Sequence, residues 1–306
     1  MTIANGAQHA LYYVAETSYG VVPSTPTWNR FPHTGTTLNL TKDGIESEKL
    51  RGDRQVEDFR HGNRSIGGDV SSELEYAAFD DLLEAALCGT WTTDVLEAGP
   101  TRRSFTIERE FADLDTPEYH RYSGCEINTL AMSISPNAMV STTFTIVGKD
   151  IEVATTEVSG STRNADIGNI PFDSFTGSIL EGGSSIAVVT SLELNVENGL
   201  EALFSVGAPT TNRPSIGKSR VTGTLTTYFE SKSLYEKFIN ETESSITATL
   251  EDPDGNQYTI ELPRVKYNSG QPDVSGEGAV TIALEFVALF DDTEETNMRI
   301  TRTDAV

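Results

Sequence analysis

The sequence predicts a mainly β (α+β) protein made of two tandem antiparallel sandwich or barrel modules, each with one flanking helix. The first observation behind this is a pattern written twice. Gly-Asp-Val-Ser-Ser-Glu-Leu-Glu-Tyr starts at Gly68 and Gly-Thr-Leu-Thr-Thr-Tyr-Phe-Glu at Gly223, and each glycine precedes a helix pattern by 11 residues, at Phe79 and at Leu234. The second is clean period-two alternation over most of the remaining apolar residues. The third is that only two short segments show the helical period.

The repeat extends in both directions. Upstream, Thr37-Leu38-Asn39-Leu40 matches Ser191-Leu192-Glu193-Leu194; downstream, Ser104-Phe105-Thr106 matches Ser245-Ile246-Thr247. The offset is about 155 residues before the helix and 141 after it, the difference being an insertion over Thr90 to Arg103. Two equivalent units in one chain can fill two equivalent places in a symmetric assembly. The plain alternative is two unrelated β-rich segments that look alike by chance.

Each element has a local reason. Ile246, Ala248 and Leu250 alternate with threonines, Asp252-Pro253-Asp254-Gly255-Asn256 supplies turn chemistry, and Tyr258, Ile260 and Leu262 alternate again. That is a hairpin with one apolar face. A second hairpin joins Leu130, Met132 and Ile134 to Phe144 and Ile146 through Ser135-Pro136-Asn137, and Val280 to Phe286 answers Val140 to Val147. Phe79, Leu82, Leu83, Ala86 and Leu87 form one helical stripe, with Asp80 and Asp81 at its positive end and Gly89 after it. In the second helix, Leu234 to Asn240, Ser233 and Glu236 fit a capping box, with Leu234 and Phe238 facing inward.

This gives five segments: an N-terminal arm over 1–33, a module over 34–153, a linker over 154–168, a second module over 169–293 and a tail over 294–306. Pro23, Pro26 and Pro32 break up the arm. The linker is rich in Thr, Ser and Gly, and Gly182-Gly183 is expected to turn a hairpin in Ile170 to Thr190. Lys42 to Gly67 reads as a long loop of mixed charge, with a counterpart over Asn198 to Lys218; loops of that length usually serve a function or are mobile. Arg51, Arg54, Arg60 and Arg64 stand there among Glu48, Asp53, Glu57 and Asp58.

The chain has 306 residues with 46 acidic and 22 basic side chains, a net charge of −24. The halves share it, −10 over 1–150 and −14 over 151–306, which points to acidic folded surfaces rather than an acidic tail. Such a chain lacks the clustered Lys and Arg needed to grip nucleic acid. No apolar run reaches membrane-spanning length and the first residues lack a secretory pattern. Cys88 and Cys125 have no metal-ligand spacing and read as reduced, partly buried thiols.

Enzyme signals are weak. His9, His33, His61 and His120 pair with no nucleophile at a recognisable spacing. Ile216-Gly217-Lys218-Ser219 ends like a phosphate loop, but Asn212 stands where the first glycine is required. Asp252 to Asn256 has its glycine two places early for a calcium loop. No catalytic residue, metal or cofactor is expected. The rival to a structural role is a ligand-binding or adhesin sandwich, with Trp28, Trp91, Tyr119 and Tyr122 as a possible aromatic patch.

Several segments, in order along nearly the whole chain, resemble the major tail tube protein family of long-tailed bacteriophages. They are Ser47-Glu48-Lys49-Leu50-Arg51-Gly52-Asp53-Arg54-Gln55 through Asp58-Phe59-Arg60-His61-Gly62, Ala78 to Leu87, Arg103 to Arg109, Asn240 to Ser245, Asp252 to Asn256 and Leu262-Pro263-Arg264-Val265-Lys266-Tyr267. The resemblance implies a virion protein whose rings stack into the tube that conducts DNA during ejection. Single-module relatives form hexameric rings, so a two-module chain should form a ring from three copies. The implied partners are further copies of itself and the tape measure, tail terminator and distal tail proteins. DNA should pass without specific binding, and the chain should sit in the host cytoplasm during assembly and in the virion tail afterwards.

Two expectations about sites follow. Arg51, Arg54, Arg60 and Arg64 should make polar contacts between rings, the plain alternative being a solvated loop. The channel wall should be net negative, because each phosphate contact by a basic group adds salt-sensitive drag. Alternation offers Glu193, Glu261 and Glu285 for that wall.

Overall fold

A computed structural model describes residues 2–185, 189–274 and 276–305; part of the stretch expected to open the second module, 186–188, lies outside them. The chain starts with β1 (Ala10–Ala15), β2 (Thr27–Arg30) and β3 (Gly35–Thr36). Two long strands follow, β4 (Asn39–Glu46) and β5 (Phe59–Glu73), and then helix α1 (Asp80–Leu87). β6 (Val95–Glu97), β7 (Phe105–Phe111), β8 (Glu118–Ile134), β9 (Ser141–Gly148) and β10 (Asp150–Ala154) complete the first half. Short strands β11 (Thr162–Arg163), β12 (Ser178–Glu181) and β13 (Ser184–Ser185) lead to β14 (Val189–Glu197). A small hairpin, β15 (Glu201–Leu203) and β16 (Asn212–Ser215), precedes β17 (Arg220–Tyr228) and helix α2 (Ser233–Ile239). β18 (Ser244–Glu251), β19 (Gln257–Tyr267), β20 (Pro272–Asp273), β21 (Thr281–Ala288) and β22 (Arg299–Thr303) finish the chain. No helix among the described residues is long and apolar enough to cross a membrane.

The strands pair almost entirely antiparallel. One ladder runs β4–β5–β9–β8 and continues through β8–β14 into β14–β17–β21. Two further ladders cover it, β2–β1–β7–β8–β10 in the first half and β13–β12–β18–β19–β22–β6 in the second. β8 and β19 each belong to two layers: the N-terminal part pairs in the covering sheet and the C-terminal part in the continuous ladder. A bulge marks the change of partner in β8 and lets one long strand turn the corner.

The core lies between the layers. Cross-strand partners share a face, so Val70, Phe144, Leu130, Val196 and Val221 form one buried row across the ladder. Over this row sits α1, whose Leu82, Leu83, Ala85, Ala86 and Leu87 are all buried. Each leucine so buried contributes about 1.5–3 kcal/mol. Phe31 stands edge-on to Phe79 and Phe144, with ring centroids 6.2 and 5.7 Å away, the offset geometry that aromatic quadrupoles favour.

Several expectations change. Residues 1–33 are no separate arm: β1 pairs with β7 along its whole length, and Leu11, Trp28 and Phe31 are fully buried. The tail is likewise built in, β22 pairing with both β19 and β6. The insertion after α1 therefore supplies a strand for the other half of the chain. In the linker, β11 pairs in parallel with β2. Lys42 to Gly67 is a β-hairpin arm rather than a loop, with only residues 47–58 lying outside β4 and β5, and Asn198 to Lys218 holds β15 and β16. Its high charge hid the period because both faces of the arm meet solvent. The capping box of α2 is not made: Lys232 is the N-cap, and Glu236 accepts from Lys232 Nζ at 2.7 Å instead. The Gly182-Gly183 and Asp252–Asn256 turns form as read, Asp252 Oδ1 accepting from Asp254 N and Asn256 N at 2.9 Å each.

Candidate functional site

The face of the continuous ladder opposite the core is polar, and its rows follow from register. One row runs Glu73, Ser141, Ser133, Glu193, Thr224, Glu285; the next runs Ser71, Thr143, Ala131, Asn195, Thr222, Val287, Lys266. A third runs Asp69, Thr145, Thr129, Glu197, Arg220. Small hydroxyl residues dominate, and Asp69, Glu73, Glu193, Glu197 and Glu285 stand against Arg220 and Lys266. Lys266 is already paired with Glu241 at 2.8 Å, so the face is net negative. A groove of about 490 Å³ lies over it, lined among others by Ser133, Glu193, Asn195, Thr224 and Glu285.

Glu193 and Glu285 thus fall in one row. Glu261 does not join them. It lies in the N-terminal part of β19, opposite Thr247 and Arg299, in the covering sheet, with Arg299 Nη1 at 3.8 Å from its carboxylate. Alternation gave each residue's parity but not the sheet its strand belongs to. Asp69, Glu73 and Glu197, which the sequence reading missed, share the face instead. Their signal was present, since each stands next to a buried strand residue, Val70, Leu74 or Val196, and so points to the opposite face.

The four arginines separate. Arg51 lies in the tip of the arm, 3.5 Å from Asp53, and Arg54 there takes a left-handed backbone with φ 63°. Arg60 is on β5, its Nε 3.3 Å from Asp58, with its side chain in solvent. Arg64 sits at the root: its backbone N–H donates to Pro209 O at 2.7 Å and its guanidinium lies 3.8 Å from Asp150. The small hairpin thus docks against the root of the arm. The tip also exposes Leu50, Val56 and Phe59, and the small hairpin exposes Val206.

Charged side chains that are buried tie elements together. Glu126 accepts from Arg102 and, at 2.7 Å, from Arg213 of β16, which locks the second half's hairpin onto β8. Glu181 holds Lys237 of α2 at 2.7 Å and accepts from Tyr267 Oη at 2.9 Å; burial and then this carboxylate push the Tyr267 phenol up. These are fully partnered structural nodes. The proposed aromatic patch does not form, because Trp28, Tyr119 and Tyr122 are buried and Trp91 packs on the core. Cys88 and Cys125 are buried free thiols. No group of three or more His, Cys, Asp or Glu among the described residues is placed to hold a metal.

A family model described as phage tail tube protein matches residues 6–288 of the chain. No curated protein matches it significantly.

Proposed function

Since the chain belongs to the phage tail tube protein family, and is therefore a structural protein of the virion tail, we propose that three copies close into a ring whose polar face lines the DNA channel. The observation that carries this is the continuous ladder. The orders β4–β5–β9–β8 and β14–β17–β21–β19 repeat, with α1 after β5 and α2 after β17. The covering sheets repeat as well, β1–β7–β8–β10 against β12–β18–β19–β22. This supports a duplicated module whose units run from the first strands to β10 and from β12 to β22, with the insertion strand β6 shared. Three chains then give six modules in quasi-sixfold order.

Such rings stack into the tube of a long, siphovirus-type tail, meeting the tape measure, terminator and distal tail proteins along its length. Chains gather in the host cytoplasm and enter the tail as rings, and the role calls for no catalysis. An acidic wall of short hydroxyl residues repels phosphates and offers DNA few contacts to hold it. The test reverses the wall. Particles carrying Glu193→Lys and Glu285→Lys should assemble but eject DNA several-fold more slowly, most clearly at low salt. Ejection at the wild-type rate at every salt concentration would contradict the channel assignment.

A further inference from the structure

The continuous ladder ends in two edges, and the chain itself contains the joint that fits them. At the middle, β8 of the first half pairs with β14 of the second, Met132 opposite Leu194 and Ala131 opposite Asn195. The free sides of the ladder are β4 at one end and the 268–273 segment with β20 at the other, where β20 pairs only with β21 among the described strands. These edges are the counterparts of β14 and β8. Thr222 pairs with Asn195 as Gly67 pairs with Asn39, so β4 answers β14 at an offset of 156. Likewise Asp273 pairs with Thr281 as Ser133 pairs with Ser141, so β20 answers the end of β8 at an offset of 140.

A second difference points the same way. α1 is covered on its flank by the neighbouring half: it packs on β14, and Asn198 Nδ2 donates to Ala86 O at 2.9 Å. α2 has no fully buried residue, and its own Ile239, Phe229 before it and Val274 after β20 are exposed, at 57%, 38% and 69%. In the first half the position of Phe229 is held by Leu74, which is 1% exposed. The second half therefore lacks the cover that the first half receives from within the chain. Gly270 at that edge carries no side chain because Leu284 and Phe238 already fill the space beneath it: a Cβ there would meet Leu284 at 2.6 Å and Phe238 at 3.5 Å.

We infer that β4 of one copy adds to the β20 edge of the next as an antiparallel strand in the register of the β8–β14 joint, with Asn39 opposite Gln271 and Leu40 opposite Gly270. Leu40, half-buried here, then covers α2 as Val196 covers α1. An unpaired edge invites another strand, and a second copy of this chain is the partner whose edge repeats the β14 side of the joint the chain already makes. The pairing presupposes the assembly proposed above but fixes a register that a ring alone does not.

Cysteine pairs test it, because a disulfide requires Cα atoms within about 7 Å. Assembled tubes of the Asn39→Cys, Gln271→Cys double variant should oxidise to covalent closed trimers, while either single variant gives none. The Thr41→Cys, Gln271→Cys pair, two residues out of register, should cross-link at least tenfold less. Intact tubes with no cross-link, or with equal cross-linking by both pairs, would overturn the register and leave the tube reading standing. Closed covalent hexamers would keep the register and defeat the three-chain ring. Should the variants not assemble, hydrogen exchange on the wild-type protein decides: amides within 38–41 and those of Gly270, Gln271 and Asp273 should gain protection on assembly, and unchanged exchange there refutes the joint.

Discussion

At the scale of single residues, a half-buried relay fixes the N-terminal strands to the rest. Arg109 Nε donates to His9 Nε2 at 3.2 Å, His9 Nδ1 donates to His33 Nε2 at 2.8 Å, and His33 Nδ1 donates to Phe31 O at 3.2 Å. Each ring accepts at one nitrogen, so both are neutral. Burial, then Arg109, His33, Arg30 and His120, bring the His9 pKa down from 6.5 to about 4; burial likewise lowers His33. A base with a depressed folded pKa stabilises the fold above its unfolded pKa and loses that contribution as pH falls. Thermal melts should therefore drop between pH 6.5 and about 4, and His9→Gln should flatten that slope at some cost at neutral pH. An unchanged slope in the variant would remove His9 from the account. Gly68 is a second sensitive point, with φ +144° and a Cβ position 2.5 Å from Thr37 O. Gly68→Ala should cost about 2 kcal/mol or more in denaturant unfolding. A loss below half of that would show that the strand can shift to admit the methyl.

At the scale of elements, the hairpin arm carries the sharpest expectation. Its tip presents Arg51 and Arg54 with Leu50 and Val56, and its side chains lie in solvent over most of its length. Arg54→Ala with Arg60→Ala should leave the melting temperature within about 1 °C, since exposed pairs are worth about 0–1 kcal/mol. The same variant should form fewer or shorter tubes by electron microscopy. Wild-type tube lengths would dismiss a stacking role. The hairpins, α1 and strands β9, β14, β17 and β21 were legible in the sequence because one face of each is buried and its period is strict. The arm was legible only in its position, because with both faces in solvent nothing enforces a period. β1 and β2 were hidden by Pro23, Pro26 and Pro32 and by partners as remote in sequence as β7. Glu261 falls on a different sheet from Glu193 and Glu285 because β19 changes sheets partway along, which parity cannot report.

At the scale of the whole molecule, one geometry accounts for the duplication, the polar face and the open edges together. The joint between β8 and β14 makes one continuous sheet from the two halves of the chain, so the proposed ring of three chains would close with three more such joints. In that proposed ring, burying the exposed apolar groups at the α2 edge would supply cohesion, while the acidic surplus would stay on surfaces where nothing must pair with it. The most direct measurement is a cryo-electron-microscopy reconstruction of the assembled tube, with chain count and strand direction resolved in each ring. The account predicts three chains per ring, about 100 kDa from chains of 33.2 kDa, with Glu193, Glu197 and Glu285 facing the channel. Six chains per ring, or an inner wall richer in Lys and Arg than in Asp and Glu, would contradict it.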